Sequence, residues 1–225
     1  MVRGKMQAQT MTFYETSIGK KIIMAATGVV TFGFVVVHLL GNLQIFLGPE
    51  KLNRYSEFLH GMGGFLWLFR LVMVVSIVAH IVASTQLTLQ NRAARPIGYK
   101  MSKFRDTSYA ARTMWVGGPI LALFIAYHLL HLTLGTVHPD FTDNVYNNVV
   151  FGFQSPIVSS VYIGAMILLG FHLSHGVWSM FQSVGLHPVN WYRRRKALAY
   201  SVGIGIAAMN ISIPVSVLCG FIRPV

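Results

Sequence analysis

A chain of 225 residues that is 54% hydrophobic and only 11% charged, with a mean hydropathy of +0.56, lacks the polar surface that a soluble domain of this length needs; it reads as an integral membrane protein. Its 18 basic against 6 acidic residues do not point to nucleic acid, because the basic side chains cluster between apolar segments, as topology signals do. The single cysteine, Cys219, excludes an intrachain disulfide.

Residues 1–21 contain no apolar run of signal-peptide length, so the first hydrophobic segment is expected to remain as an uncleaved anchor. Five apolar stretches, at 22–47, 65–89, 114–136, 157–184 and 197–222, reach the roughly 20 residues that a spanning helix requires. The expected fold is therefore all-α, a single domain over residues 1–225 made of five transmembrane helices. Positive charge alternates along the connections. Arg3, Lys5, Lys20 and Lys21 come first, then Arg92, Arg95, Lys100, Lys103, Arg105 and Arg112, then Arg193, Arg194, Arg195 and Lys196. These mark the inside and make the N-terminus cytoplasmic. The connection 138–156 has Asp140 and Asp143 with no Lys or Arg, and the connection 48–64 balances Lys51 and Arg54 against Glu50 and Glu57; both face outside. Breakers sit at Gly48-Pro49, at 61–64, and at Pro96, Pro139, Pro156 and Pro188. Pro214 falls within the fifth segment and is expected to kink it.

Four of the five segments carry histidine: His38, His80, the pair His128 and His131, and the pair His172 and His175. An imidazole in hydrocarbon is costly unless it is hydrogen-bonded or ligates a metal, so each is a candidate functional residue. A single one need do no more than bond a neighbouring carbonyl. Four segments, each with a histidine at depth, are the ligand count of two bis-histidine haems. Counting along the helices, His38 lies about 25 Å beyond Lys21 and His128 about 24 Å beyond Arg112, whereas His80 lies about 18 Å from Arg92 and His172 about 20 Å from Gly185. Depth thus predicts an outer pair, His38 with His128, and an inner pair, His80 with His172. In each His-x-x-His pair the two rings share a face, so depth leaves His128 against His131, and His172 against His175, open. The spare histidines are candidates to bond a haem propionate, a quinone or a backbone carbonyl. A zinc or di-iron reading of the His-x-x-His pairs would call for carboxylates, which segments three and four lack.

Gly28, Gly33, Gly41, Gly117, Gly118, Gly164, Gly170 and Gly176 would let a flat macrocycle approach the backbone, although ordinary packing of membrane helices uses the same residues. Gly203 and Gly205, on a segment without histidine, are expected to serve packing. The tryptophans Trp67, Trp115, Trp178 and Trp191 fit interfacial belts. Arg70, about five residues into segment two, suits either snorkelling to the interface or pairing with a propionate of the outer haem. Lys20, Lys21, Lys103, Arg105 and Arg112 suit propionates, anionic lipid or an acidic partner surface. In the outer connection, Glu57 and His60 are the candidates to take protons from a quinol, against the plainer reading of a solvated loop.

Taken together, KKIIMAATG at 20–28, HLLGNLQIF at 38–46, LNRYSEFLH at 52–60, ARPIGY at 94–99 and GFHLSHGVWSM at 170–180 resemble the cytochrome b membrane anchor of succinate dehydrogenase and fumarate reductase, in its single-subunit, di-haem, b558-type form. The resemblance covers nearly the whole chain. It implies two b haems, the outer held by His38 and His128 and the inner by His80 and His172. In the fourth segment the spacing of His172 to Gly176 and Trp178 fits the family pattern better than that of His175. It implies a flavoprotein subunit with covalent FAD and an iron-sulfur subunit docked on the cytoplasmic face, in the bacterial cytoplasmic membrane, within a complex open to higher oligomerisation. Electrons from succinate would pass through iron-sulfur clusters and the haems to menaquinone, the anchor itself breaking no substrate bond. Charge crossing the membrane would couple turnover to the potential at about 2.3 kcal/mol per charge per 100 mV. The alternatives are a di-haem cytochrome b serving a hydrogenase or formate dehydrogenase, and a transporter without cofactor.

Overall fold

The computed structural model describes residues 12–94, 109–183, 185 and 188–225. Arg3, Lys5, Arg95, Pro96, Lys100, Lys103, Arg105, Val184, His187 and most of the ARPIGY stretch lie outside the described residues. Among those residues there are seven α-helices and no strand: α1 (Ser17–Asn42), α2 (Pro49–Gly61), α3 (Gly64–Ala93), α4 (Tyr109–Leu132), α5 (Val145–Gln154), α6 (Pro156–Ser183) and α7 (Tyr192–Leu218). Five of them, α1, α3, α4, α6 and α7, are long and apolar enough to cross a membrane, which is the architecture of a multi-pass membrane protein.

The helix ends differ from the apolar segments for a physical reason. Hydropathy marks what suits hydrocarbon, whereas a helix runs on as long as its hydrogen bonds are satisfied. So α1 starts at Ser17, capped by the Thr16 hydroxyl, which accepts from Gly19 N at 2.9 Å. Likewise α7 starts at Tyr192 and takes in the basic run 193–196. At the other end α1 stops at Asn42 and tightens into a 3-10 turn, Leu43–Leu47. That turn closes on Gly48 at φ 99°, a backbone region open to glycine, and Pro49 then takes the first turn of α2.

The connections 48–64 and 138–156, expected to face outside, are not simple loops. The first holds α2, an amphipathic helix that buries Leu52, and the second holds α5, which buries Tyr146, Val150 and Phe153 at helical spacing. Neither approaches spanning length, so hydropathy alone passes over both. They lie against each other, and α5 lies against α7; Ile45, Leu52, Tyr146, Val150, Phe153, Tyr162, Ile213, Val217 and Ile222 form one core cluster. Asn53 joins the two helices: its carbonyl accepts from Tyr146 N at 3.0 Å and its amide donates to Asn144 Oδ1 at 3.1 Å. The C-terminus is tied down by Tyr146 OH, donating to Arg223 O at 3.0 Å. This capped end is opposite the basic end, where Lys20, Lys21, Arg92, Arg112 and the 193–196 run sit.

Helix α7 packs most extensively on α6, through small residues. A Cβ on Gly203 would run into Ser174 Oγ and Gly170 O, and one on Gly170 would lie 3.0 Å from Ala207 Cβ. Gly170 therefore serves the α6–α7 contact, not the approach of a macrocycle, because it faces α7. Gly203 packs as expected, while a Cβ on Gly205 meets nothing within 4 Å. Pro214 lies inside α7 as expected, and Pro119 is a second internal proline, inside α4.

Candidate functional site

The site lies among α1, α3, α4 and α6. Helix α1 packs along α3 and α4 packs along α6, while neither α1 with α4 nor α3 with α6 forms an extended contact among the described residues. It is across these two unpacked pairings that the imidazoles meet. His38 on α1 faces His128 on α4 with ring centres 5.8 Å apart and planes at 82°; His80 on α3 faces His172 on α6 at 6.1 Å and 55°.

That separation can be tested against a haem. A metal–imidazole bond of about 2 Å, with the ring centre about 1 Å further on, puts the centres of two imidazoles gripping one metal roughly 6 Å apart. Both pairs fit. The distance alone is also that of an edge-to-face ring contact. The difference lies in the surroundings, because helices brought together only by ring contact would be expected to close on each other through small residues, as α6 and α7 do. Gly28 lies beside one pair, its absent Cβ 3.7 Å from His80 Cε1. Cβ atoms on Gly33, Gly118, Gly164 and Gly176 would meet nothing within 4 Å; Gly33, Gly164 and Gly176 are exposed and so are as open to lipid as to a macrocycle. Gly41 instead gives room to the Tyr55 ring, and Gly117 lies against Leu168.

Hydrogen bonds orient two of the four rings. Thr27 Oγ1 lies 3.1 Å from His80 Nδ1. The same hydroxyl sits 2.7 Å from Ile23 O and has one proton to give. With that proton on the carbonyl the hydroxyl accepts from His80, an arrangement that puts the His80 proton on Nδ1 and leaves the Nε2 lone pair free for a metal. Tyr162 OH lies 3.2 Å from His128 Nδ1 and 2.9 Å from His131 Nδ1. Phe34 stacks on His38 with centres 5.2 Å apart, and Phe124 on His128 at 6.0 Å.

Within each His-x-x-His pair one ring meets a histidine of another helix. On α4, His128 faces His38, while His131 is fully buried, stacked between Tyr127 and His138 at 5.5 and 4.9 Å. On α6, His172 faces His80. Neither His172 Nδ1 nor His175 Nδ1 has a hydrogen-bond partner among the described residues, so there the ring contact alone separates the two. His138, which the sequence marks only as the first residue of the connection 138–156, is held by Asn148 O at 2.7 Å from its Nε2 and by Asp140 N donating to its Nδ1 at 3.1 Å. Tyr162, His138 and Asn148 carry no motif; only the fold brings them to the histidines.

The remaining candidates fall outside this centre. Arg70 is half-buried with its guanidinium 4.9 Å from the Trp67 ring centre. Glu57 and His60 are exposed on α2, three residues apart on one side, and His60 Nδ1 turns back to Ser56 O at 2.8 Å. Lys20 is not available to lipid or a partner: it is 3% exposed and donates to Tyr14 O and Glu15 O at 2.8 and 3.1 Å. The tryptophans hold arginines, most closely Arg92 over Trp115 at 3.6 Å, an interhelix contact from α3 to α4 at the basic end. Among the described residues no group of three or more His, Cys, Asp or Glu side chains is arranged to hold a metal ion.

Comparison with known protein families, curated proteins and solved structures finds no match for this chain.

Proposed function

We propose that the chain is the membrane-anchor cytochrome b subunit of a succinate:quinone oxidoreductase, carrying electrons through two b haems between an iron-sulfur subunit and menaquinone. The observation that supports this reading most strongly is the meeting of His38 with His128 and of His80 with His172, each about 6 Å across helices that form no extended contact among the described residues. Bound there, haem would supply one-electron chemistry that no side chain of this chain can supply. The protein's part would be to hold haem between His38 and His128 and between His80 and His172, to orient His80 and His128 through their second nitrogens, and to keep water away.

In this reading the N-terminus and the basic end are cytoplasmic. Lys21, Arg112, Arg193, Arg194 and Lys196 then face the flavoprotein and iron-sulfur subunits or anionic lipid, whereas Arg195 is buried, and the capped end faces outward. Glu57 and His60 on α2 are the proposed proton acceptors for a quinol reacting near the outer pair, and Arg70 the proposed partner of an outer propionate. Replacing Glu57 and His60 together without loss of quinone turnover rejects that assignment.

The test of the whole reading is a dithionite-reduced spectrum with haem quantitation. Wild type is expected to hold two haems per chain. Replacing His38 or His128 by alanine removes one of them, and replacing His80 or His172 removes the other, while alanine at His175 leaves both. Absence of reduced-haem bands in wild type rejects it. Co-purification with a flavoprotein, as opposed to a hydrogenase or formate dehydrogenase subunit, decides between the respiratory alternatives.

A further inference from the structure

Tyr162 stands between two imidazoles that present the same kind of atom to it, His128 Nδ1 at 3.2 Å and His131 Nδ1 at 2.9 Å. A phenol has one proton to give and lone pairs to receive with, and a neutral imidazole carries its proton on one nitrogen only. If both rings donated, the phenol proton would have no partner; if both accepted, one ring would have none. One ring donates to Tyr162, and Tyr162 donates to the other.

The direction follows from the proposed function, on which this step rests. A His128 that gives Nε2 to iron carries its proton on Nδ1, so it donates to Tyr162. Tyr162 then donates to His131 Nδ1, and the His131 proton sits on Nε2, a buried atom with no hydrogen-bond partner among the described residues, so the direction rests on the iron ligation of His128 and not on a count of satisfied protons. His131 is 0% exposed, so water does not compete for the phenol proton. Its placement depends on a glycine: a Cβ at Gly152 on α5 would lie 2.7 Å from His131 Cε1 and 3.0 Å from its Nε2. Three helices, α4, α5 and α6, thus converge to aim one hydroxyl.

We infer that Tyr162 is the positioning residue of the outer haem ligand His128, and that His131 is the acceptor that fixes the direction of the Tyr162 hydroxyl. The second histidine of the α4 pair is then a buttress and not a spare ligand. Accepting from the Nδ1 proton makes the ligand more electron-donating, favours ferric iron and lowers the midpoint potential. On α6 neither histidine has such a partner among the described residues. The buttress therefore acts on one haem of the two.

The experiment is a spectroscopically monitored potentiometric titration of the full chain in its native membrane. The outer haem is identified as the one lost in the His128→Ala variant. In Tyr162→Phe the midpoint of that haem is expected to rise and the other to stay in place. His131→Phe, which keeps an aromatic ring against Tyr127 but no acceptor, is expected to shift the same haem in the same direction by less. The double variant is expected to match Tyr162→Phe alone. Unmoved midpoints in both single variants, a shift in the other haem, or a His131 effect undiminished in the Tyr162→Phe background overturns the inference while leaving the proposed function standing. If Tyr162→Phe fails to assemble, the His131→Phe titration decides by the same criterion. A wild type without haem overturns both.

Discussion

Thr27 and His80 are joined across the α1–α3 interface by a hydrogen bond, the Thr27 hydroxyl lying 3.1 Å from His80 Nδ1 and 2.7 Å from Ile23 O on its own helix. In the proposed function this makes Thr27 the orienting group of the inner ligand. Thr27→Val keeps the shape and removes the acceptor. A hydrogen bond of this kind contributes about 1 kcal/mol net, so inner haem retention is expected to weaken roughly fivefold. Its midpoint is expected to rise while the outer one stays. Haem quantitation during dilution, with a redox titration, measures both.

The contact between α6 and α7 gives a prediction independent of any cofactor. Gly203→Ala would place a Cβ against Ser174 Oγ and Gly170 O, a backbone atom that cannot swing away. Overpacking of this kind costs about 1–3 kcal/mol. Gly205→Ala, two residues along with open space at its Cβ, is expected to be neutral or slightly stabilising. Reversible unfolding of the two variants in mixed detergent micelles should separate them; equal stability would mean that the helices do not meet at Gly203.

The five spans were legible because hydrocarbon imposes a length and a composition that few other segments satisfy. So were the four histidine-bearing helices, since an imidazole stands out in apolar sequence. The pairing by depth, His38 with His128 and His80 with His172, coincides with the ring contacts in the fold. What stayed hidden depends on contacts distant in sequence. Tyr162 reads as an ordinary residue of an apolar segment until α4 and α6 pack, and Gly170 looks like any other glycine until α7 lies on it. The helices α2 and α5 were hidden for another reason: their apolar positions, such as Tyr146, Val150 and Phe153, have helical period but too few turns to register as spans.

Asn53 concentrates the link between those two helices in one side chain, which both accepts from Tyr146 N and donates to Asn144 Oδ1. Asn53→Ala leaves the backbone N–H of a buried residue, Tyr146, without its acceptor, at a cost of about 1–3 kcal/mol. Amide hydrogen exchange is expected to quicken across residues 49–61 and 145–154 and to stay unchanged in α6. Unaltered protection of α2 in this variant would show that the apolar cluster around Leu52 suffices.

A last prediction concerns pH at the start of the first span, where Glu15 accepts from Thr12 N at 2.6 Å. That backbone hydrogen bond, with the Thr12 side chain adding to it, holds the carboxyl below its ordinary value of 4.5. Because the folded value is the lower one, the charged form favours the folded turn. The contribution is present above the ordinary carboxyl range and is lost as pH falls through the depressed value. Acidification is therefore expected to loosen the 3-10 turn Phe13–Glu15, and with it the carbonyls of Tyr14 and Glu15 that hold Lys20. Proteolysis of the N-terminal segment, followed against pH below the ordinary carboxyl value, reads this directly. In Glu15→Gln, which carries no carboxylate to titrate, the turn should be no more susceptible at low pH than at neutral pH. A wild-type profile as flat as that of the variant would show that the Thr12 contact contributes nothing to the turn.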